Sequence, residues 1–515
     1  MPTGSADTAA LPESAVVGVI GAGTMGAGIA QVAAAAGHRV RIFDMQPGAA
    51  ERAKANIVKA LGNDVAKGRL GADEAEAHAG RISPCAALSD LSDASLVIEA
   101  IIEDLAAKRS LFSDLETIVG DDAILASNTS SLSITALAGK MKAPGRIAGM
   151  HFFNPVPRMR LVEIISGLET DGAVLDCLHA TAERWGKRAV RARSTPGFIV
   201  NRVARPFYGE GLRLLEEGTA DPATLDHLMR AGGGFRMGPF ELMDLIGLDV
   251  NYAVTCSVFD AYYGDPRYKP SLRQKELVES GRLGRKAGRG FYDYGSDQKT
   301  AVARAVPPVS APRDPLVARG AFPFAEPLKA AGWNVAVSDA ESPYGLWSLE
   351  SADGVLAQSD GRSATAVAAA TGQQNLVLCD WWRPGPQAGS AVAAAWQCPA
   401  KAKAALCAPL HALGVETVET ADAPGLVVLR VVATLANEAA DAVHQGVATA
   451  RDVDLAMRDG VNYPEGPLEW AEGIGLAGIL RVLTNLQAHY HEDRYRPSPL
   501  LRQHVWAGCA IRERQ

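Results

Sequence analysis

The chain has 515 residues, 48% hydrophobic and 21% charged, with 51 Lys and Arg against 58 Asp and Glu and a formal net charge of −7. That length calls for three or four domains around sizeable cores, and the acidic balance argues against nucleic acid as a partner. No uncharged apolar run reaches the roughly 18 residues a membrane span needs, so no membrane partner is expected.

Residues 1–14 carry Asp7 and Glu13 and no basic stretch ahead of an apolar core. They read as a disordered tail rather than a secretion signal. Residues 16–20 are then an apolar run of strand length, followed at once by Gly21-Ala22-Gly23-Thr24-Met25-Gly26 and the alanine-rich helical stretch 27–36. Residues 39–43 form a second strand ending at Asp44, which completes a βαβ unit with parallel strands and a helical crossover. Residues 49–80 have helical spacing and predict a hairpin inserted in the sheet. Further strands are expected at 96–100, 123–127, 147–151 and 161–165, so that 15–195 is a Rossmann domain.

From residue 196 the pattern is helical, and the turn Gly288-Arg289-Gly290-Phe291-Tyr292 closes that domain near 295. Residues 296–315, with Pro307, Pro308, Pro312 and Pro315, read as a linker. Residues 316–420 alternate again, with strands expected at 333–337 and 375–379 and helices at 363–371 and 401–413. No glycine fingerprint occurs there, so this is a small reduced Rossmann-like unit. Residues 421–515 are a degenerate repeat of the helical domain. Aligned without gaps at an offset of 228, residues 196–247 and 424–475 agree at 17 of 52 positions, among them Arg202/Arg430, Glu210/Glu438 and Asp226/Asp454. Asn201 becomes Leu429 in the second copy. The expected class is therefore α/β plus all-α in four regions. Seven cysteines, odd in number and without a CxxC pair, read as reduced packing residues of a cytoplasmic protein, with no disulfide framework and no metal site.

The glycine loop carries specific chemistry in this context. Gly21 permits the tight turn, Gly23 lets backbone approach a pyrophosphate, and Gly26 lets helix and strand pack. Ala22, Thr24 and Met25 complete the loop, whose helix offers unpaired N–H groups and a positive dipole end to phosphates. Asp44 is placed to bond both ribose hydroxyls and to repel a 2′-phosphate, which favours NAD over NADP.

Ser127-Asn128-Thr129-Ser130-Ser131 follows one strand, His151-Phe152-Phe153-Asn154-Pro155-Val156 follows another, and Glu163 lies in the next. Neighbouring strands joined by a short loop bring His151 and Glu163 side by side. Oxidation of a hydroxyl to a ketone needs a base for the hydroxyl proton, and an imidazole oriented by a carboxylate suits it at neutral pH. An isolated histidine at a strand end is more often a satisfied polar residue, so this pair alone does not decide the reaction.

Taken together, these motifs with residues 99–108, 196–202 and 237–241 closely resemble the L-3-hydroxyacyl-CoA dehydrogenase family over residues 16–294. The resemblance implies NAD-dependent oxidation of an acyl-CoA substrate, with His151 as general base and Glu163 as its orienting partner. It implies that Ser130 and Asn201 position substrate and nicotinamide, that Glu103, Lys108 and Asn154 contact NAD, and that Lys67 on the hairpin touches the CoA moiety. The whole length resembles long bacterial members, assigned to 3-hydroxybutyryl-CoA or, in phenylacetate degradation, to 3-hydroxyadipyl-CoA. Because shorter members pair two helical domains across a dimer interface, residues 424–515 are expected to imitate that partner within one chain, as an intrachain pseudo-dimer; a homo-oligomer remains open. Two other readings stay open: a related dehydrogenase of a non-CoA hydroxy acid or polyol, and a non-enzymatic NAD-binding protein. Arg158 and Arg160 are candidates for a terminal carboxylate, although surface arginines more often carry solvated charge.

Overall fold

The computed structural model describes residues 10–295, 305–307 and 315–514, which form two compact units. The first holds residues up to 202 together with 445–461, and the second holds 203–444 and 462 onward.

In the first unit, described strands β1 (Val16–Ile20), β2 (Arg39–Phe43), β3 (Ile82–Pro84), β4 (Ala94–Glu99), β5 (Ile124–Ser127), β6 (Ile147–Phe152), β7 (Leu161–Ser166) and β8 (Arg188–Arg193) form one sheet. Its order is β3-β2-β1-β4-β5-β6-β7-β8, parallel throughout except where β6 meets β7. β1 is buried at every position, as a central strand covered on both faces must be. Helix α1 (Thr24–Ala35) crosses over from β1 to β2 and buries Ile29, Ala30, Val32 and Ala33 against the sheet. The expected hairpin is present as α2 (Ala49–Ala66) and α3 (Ala72–Gly80). Helix α4 (Leu105–Ile118) starts where Asp104 accepts the Ala107 N–H at 2.7 Å, satisfying one of the helix's unpaired donors.

Several segments pack with a part of the chain other than their sequence neighbours. Residues 1–9 lie outside the described residues, but the rest of the expected tail is folded: Leu11 is buried, its N–H donates to Thr181 Oγ1 and its carbonyl accepts from Arg184. Residues 196–202 stay with the sheet, so Asn201 belongs to the first unit. The helix Ala450–Val461, read as part of the repeat, also belongs there. β8 would otherwise be a bare edge, and the Arg193 N–H donates to the Val447 carbonyl at 2.8 Å. Gly460 lies so close to Leu161 and Val200 that a side chain would collide with them.

The second unit contains the described helices from Arg205–Glu216 onward, other than Ala450–Val461, and a second, mixed sheet. Its described strands are β9 (Leu316–Gly320), β10 (Val335–Ser338), β11 (Trp347–Ser351), β12 (Gly354–Gln358), β13 (Leu376–Cys379), β14 (Gly389–Ala394) and β15 (Glu416–Glu419), in the order β10-β9-β11-β12-β13-β14-β15. The segment expected as a linker is partly built into this domain: Ala305 bridges Val418, Val306 is buried and its N–H donates to the Thr417 carbonyl. Pro308 and Pro312 lie outside the described residues.

The two copies of the helical repeat meet inside this unit along the helices Arg205–Glu216 and Val428–His444. Arg430, wholly buried, reaches Glu210 at 2.7 Å, Glu217 at 3.0 Å and the hydroxyls of Tyr490 and Tyr495 at 2.9 Å. Such a buried cation is tolerable only when its donors are met this fully. The turn at 288–292 is pinned by Asp244, which accepts the N–H groups of Phe291 and Tyr292 at 3.0 Å. Among the described residues no single helix is long and apolar enough to cross a membrane, and all seven cysteines are free thiols.

Candidate active site

The antiparallel register of β6 and β7 sets His151 directly opposite Glu163, so their side chains share one face at close range. Nδ1 of His151 lies 2.7 Å from Glu163 Oε2. Glu163 is fully buried, and its second oxygen accepts the N–H groups of Ile199 and Val200, each at 3.0 Å. The carboxylate is thus satisfied on both sides, and the Nδ1 proton is directed at it. That leaves Nε2 as the basic nitrogen. Phe153 and Phe198 flank the imidazole, with ring centroids at 4.5 and 5.9 Å.

The two N–H groups on Glu163 are aimed by a left-handed turn: Gly197 has φ 76° and Phe198 φ 47°. An aromatic residue in that region carries a strain of about 1–3 kcal/mol. Sequence reasoning passed over Phe198, since nothing in its type announces a left-handed backbone.

Ser130 and Asn201 are brought together, with Asn201 Nδ2 donating to the Ser130 carbonyl at 3.3 Å. The loop bearing Ser130 is tied down by Glu103. Its Oε1 accepts from Thr129 Oγ1 at 2.6 Å and from the N–H groups of Ser130 and Ser131 at 2.9 and 3.1 Å. The Thr129 hydroxyl, the Lys108 charge and the loop N–H groups hold the Glu103 carboxyl below its ordinary range, against the effect of burial. Lys108 is itself buried, its ammonium 2.5 Å from Glu99 and 3.3 Å from Glu103. Glu99, not singled out in the sequence, also accepts from Ser127 Oγ at 2.7 Å. Asn128 Oδ1 accepts the Phe152 N–H at 2.8 Å and joins the ends of β5 and β6. Asn154 is exposed just beyond Phe153. Lys67 is exposed just past the end of α2, and among the described residues its side chain makes no hydrogen bond to this cluster.

The glycine loop fits a dinucleotide. A side chain on Gly21 would strike the Ala100 carbonyl, and one on Gly26 the Gly21 carbonyl, whereas the space over Gly23 is open. That is the opening a pyrophosphate needs above the first N–H groups of α1. Ala22, Thr24 and Met25 complete the rim. Asp44 follows β2 directly and is half-exposed, with Oδ2 accepting the Ala22 N–H at 2.7 Å and Oδ1 the Gln46 N–H at 2.8 Å. Each oxygen keeps a lone pair for a ribose hydroxyl. Arg158 and Arg160 are exposed and line a cavity that does not include His151, Ser130 or Asn201.

The second unit contains a counterpart that the sequence reading missed. β13 and β14 are antiparallel and β14 and β15 parallel, as β6, β7 and β8 are. The segment Cys379-Asp380-Trp381-Trp382-Arg383-Pro384 there matches Met150-His151-Phe152-Phe153-Asn154-Pro155. Asp380 replaces the histidine, is fully buried, and accepts the N–H groups of Val427, Val428 and Leu429 at 2.6 to 2.9 Å. Burial pushes its carboxyl up to about 6. One carboxylate therefore occupies the place of His151 and receives the helix-start N–H groups that Glu163 receives in the first unit, and no imidazole remains there.

Family models agree with this layout. The NAD-binding domain of 3-hydroxyacyl-CoA dehydrogenase matches residues 16–195, its C-terminal domain matches 197–294 and again 425–515, and a 3-hydroxybutyryl-CoA dehydrogenase reduced Rossmann-fold domain matches 356–424. A 3-hydroxyadipyl-CoA dehydrogenase of Escherichia coli is 44% identical over 95% of this chain and 96% of its own. The crystal structure of a 3-hydroxybutyryl-CoA dehydrogenase from Escherichia coli superposes with a TM-score of 0.87 at 43% identity, covering 96% of this chain and 98% of that one. A mitochondrial hydroxyacyl-coenzyme A dehydrogenase of Sus scrofa is 41% identical over 54% of this chain and 90% of its own.

Proposed function

The chain belongs to the NAD-dependent 3-hydroxyacyl-CoA dehydrogenase family, and on that premise we propose that it oxidises an L-3-hydroxyacyl-CoA to the 3-oxoacyl-CoA with His151 as the general base. The observation that carries this is the pairing of His151 Nδ1 with a fully buried Glu163, which fixes the tautomer and leaves Nε2 to accept a proton. NAD, when bound, supplies the acceptor for the hydride that leaves C3. His151 takes the 3-hydroxyl proton, and Glu163 stabilises the imidazolium that results. Ser130 and Asn201 hold the substrate oxygen and the nicotinamide end in place. Asp44 receives the ribose hydroxyls, and residues 21–26 present N–H groups to the phosphates. Glu103, Lys108 and Asn154 serve the cofactor, Lys108 also positioning Glu103; Lys67 meets the CoA moiety. In reduction the same residues run in reverse.

The second half is a scaffold. Its counterpart of the base is Asp380 and its counterpart of Asn201 is Leu429, so neither proton transfer nor the asparagine contact is available there. The exchange of equivalent helices supports an intrachain pseudo-dimer: in the first unit the second copy's Ala450–Val461 covers β7 and β8, and in the second unit the first copy's Pro222–Ala231 packs at β14, where Gly389 meets Ala231. A cytoplasmic setting is part of the proposal, supported by seven free thiols. Initial rates with NADH and acetoacetyl-CoA, set against a dicarboxylic 3-oxoacyl-CoA, test the reading and rank the acyl chains. Absence of turnover with either ester would refute it.

A further inference from the structure

A cavity of about 600 Å³ opens in the first unit beside α1, the hairpin α2–α3 and the turn that follows the His151 loop. It is lined by Arg69, Arg158, Arg160, Arg184 and Lys187 against one carboxylate, Asp64. Asp64 is engaged by Arg69 at 3.5 Å. Among the described residues, no carboxylate lies within 4 Å of the side-chain nitrogens of Arg158, Arg160, Arg184 or Lys187. Lys187 is the built part of the site. It is 7% exposed, and its ammonium donates to the carbonyls of Val156 at 2.5 Å and Met159 at 2.8 Å. An ammonium has three N–H donors, so one is left for a ligand. Carbonyl dipoles alone do not balance a buried charge, and burial holds this group down to about 8.

We propose that this cavity is a phosphate-binding site, in which Lys187, Arg158 and Arg160 receive the phosphate ester groups of a nucleotide-sized ligand. Its volume suits such a ligand, and guanidinium pairs suit phosphate oxygens. The acceptors of Lys187 bound the turn from Val156 to Met159, which directly continues the chain from His151 and Asn154. An anion opposite Lys187 therefore firms the backbone behind the base. The phosphate has two sources, the CoA moiety of the substrate or a separate nucleotide effector. Only the first rests on the acyl-CoA reading above.

The test uses the full chain saturated with NAD and titrates 3′,5′-ADP and inorganic phosphate by calorimetry. The comparison is with an Arg158→Ala/Arg160→Ala double variant, chosen because both side chains are exposed and leave the fold intact. The wild-type chain should bind 3′,5′-ADP, more weakly as salt rises, and the double variant should bind it about tenfold or more weakly. Equal affinity in the two proteins, or no binding of either probe by the wild type, overturns the site. Michaelis constants in the double variant then identify the source. A rise for acetoacetyl-CoA but not for acetoacetyl-pantetheine assigns the phosphate to the substrate, and no rise for either, with 3′,5′-ADP binding lost, assigns it to an effector. A wild type that binds 3′,5′-ADP but turns over neither ester defeats the dehydrogenase reading while leaving the site standing.

Discussion

Glu163 holds His151 at 2.7 Å through one carboxylate oxygen and the start of the next helix through the other, two N–H bonds of 3.0 Å. Asp380 keeps only the second of these tasks, at Val427, Val428 and Leu429. The two residues should therefore separate in mutagenesis. Glu163→Gln is expected to lower kcat by roughly two to four orders of magnitude, because the imidazolium loses its counter-charge. Asp380→Ala should leave kcat at 25 °C near normal and reduce unfolding stability by about 2–4 kcal/mol, since it strands buried N–H donors. Denaturant titration and steady-state assays on both variants decide this, and a catalytic defect confined to Asp380→Ala would reverse the assignment.

Asp44→Ala removes the carboxylate that meets the Ala22 and Gln46 N–H groups. The ratio of kcat/KM with NAD to that with NADP should fall, and the preference among acyl-CoA esters should not change. An unaltered cofactor ratio would count against the ribose role.

Lys187 gives a pH signature. Burial depresses it to about 8 from an ordinary value of 10.5, so between those values the unfolded chain binds the extra proton and the folded chain does not. Stability from this group therefore rises with pH through that window and is lowest below pH 8. The difference in melting temperature between the wild type and Lys187→Met should move in favour of the wild type from pH 8 to pH 10. A difference that stays flat would show that the ammonium is not held down.

Residues 445–461 complete the first unit, so ending the chain at 295 should uncover Leu161, Val200 and the β8 edge at Arg193. Such a fragment is expected to aggregate or to recruit a second copy, as read by size-exclusion chromatography with light scattering. A fully active monomer would contradict the scaffold role.

The βαβ fingerprint was legible because its signals are local: a buried strand, a glycine turn and an acidic residue at the next strand's end. The His151–Glu163 contact was legible because two adjoining strands define a register. β8 was not, because Arg188, Arg191 and Arg193 interrupt its apolar residues and leave neither a continuous apolar run nor a strict alternation. Leu11 read as tail because one apolar residue gives no period. The placement of residues 445–461 depends on contacts hundreds of residues away in sequence. Asp380 was invisible because the reduced domain keeps the strand order around the position that His151 holds in the first unit but not the glycines that announce a Rossmann fold.

His151 is the proton acceptor of the proposed reaction. The most direct measurement is kcat of His151→Ala with acetoacetyl-CoA and NADH, alongside its affinity for NADH. A loss of about two to four orders of magnitude in kcat with NADH affinity retained is the predicted result; turnover within a few fold of the wild type would contradict it.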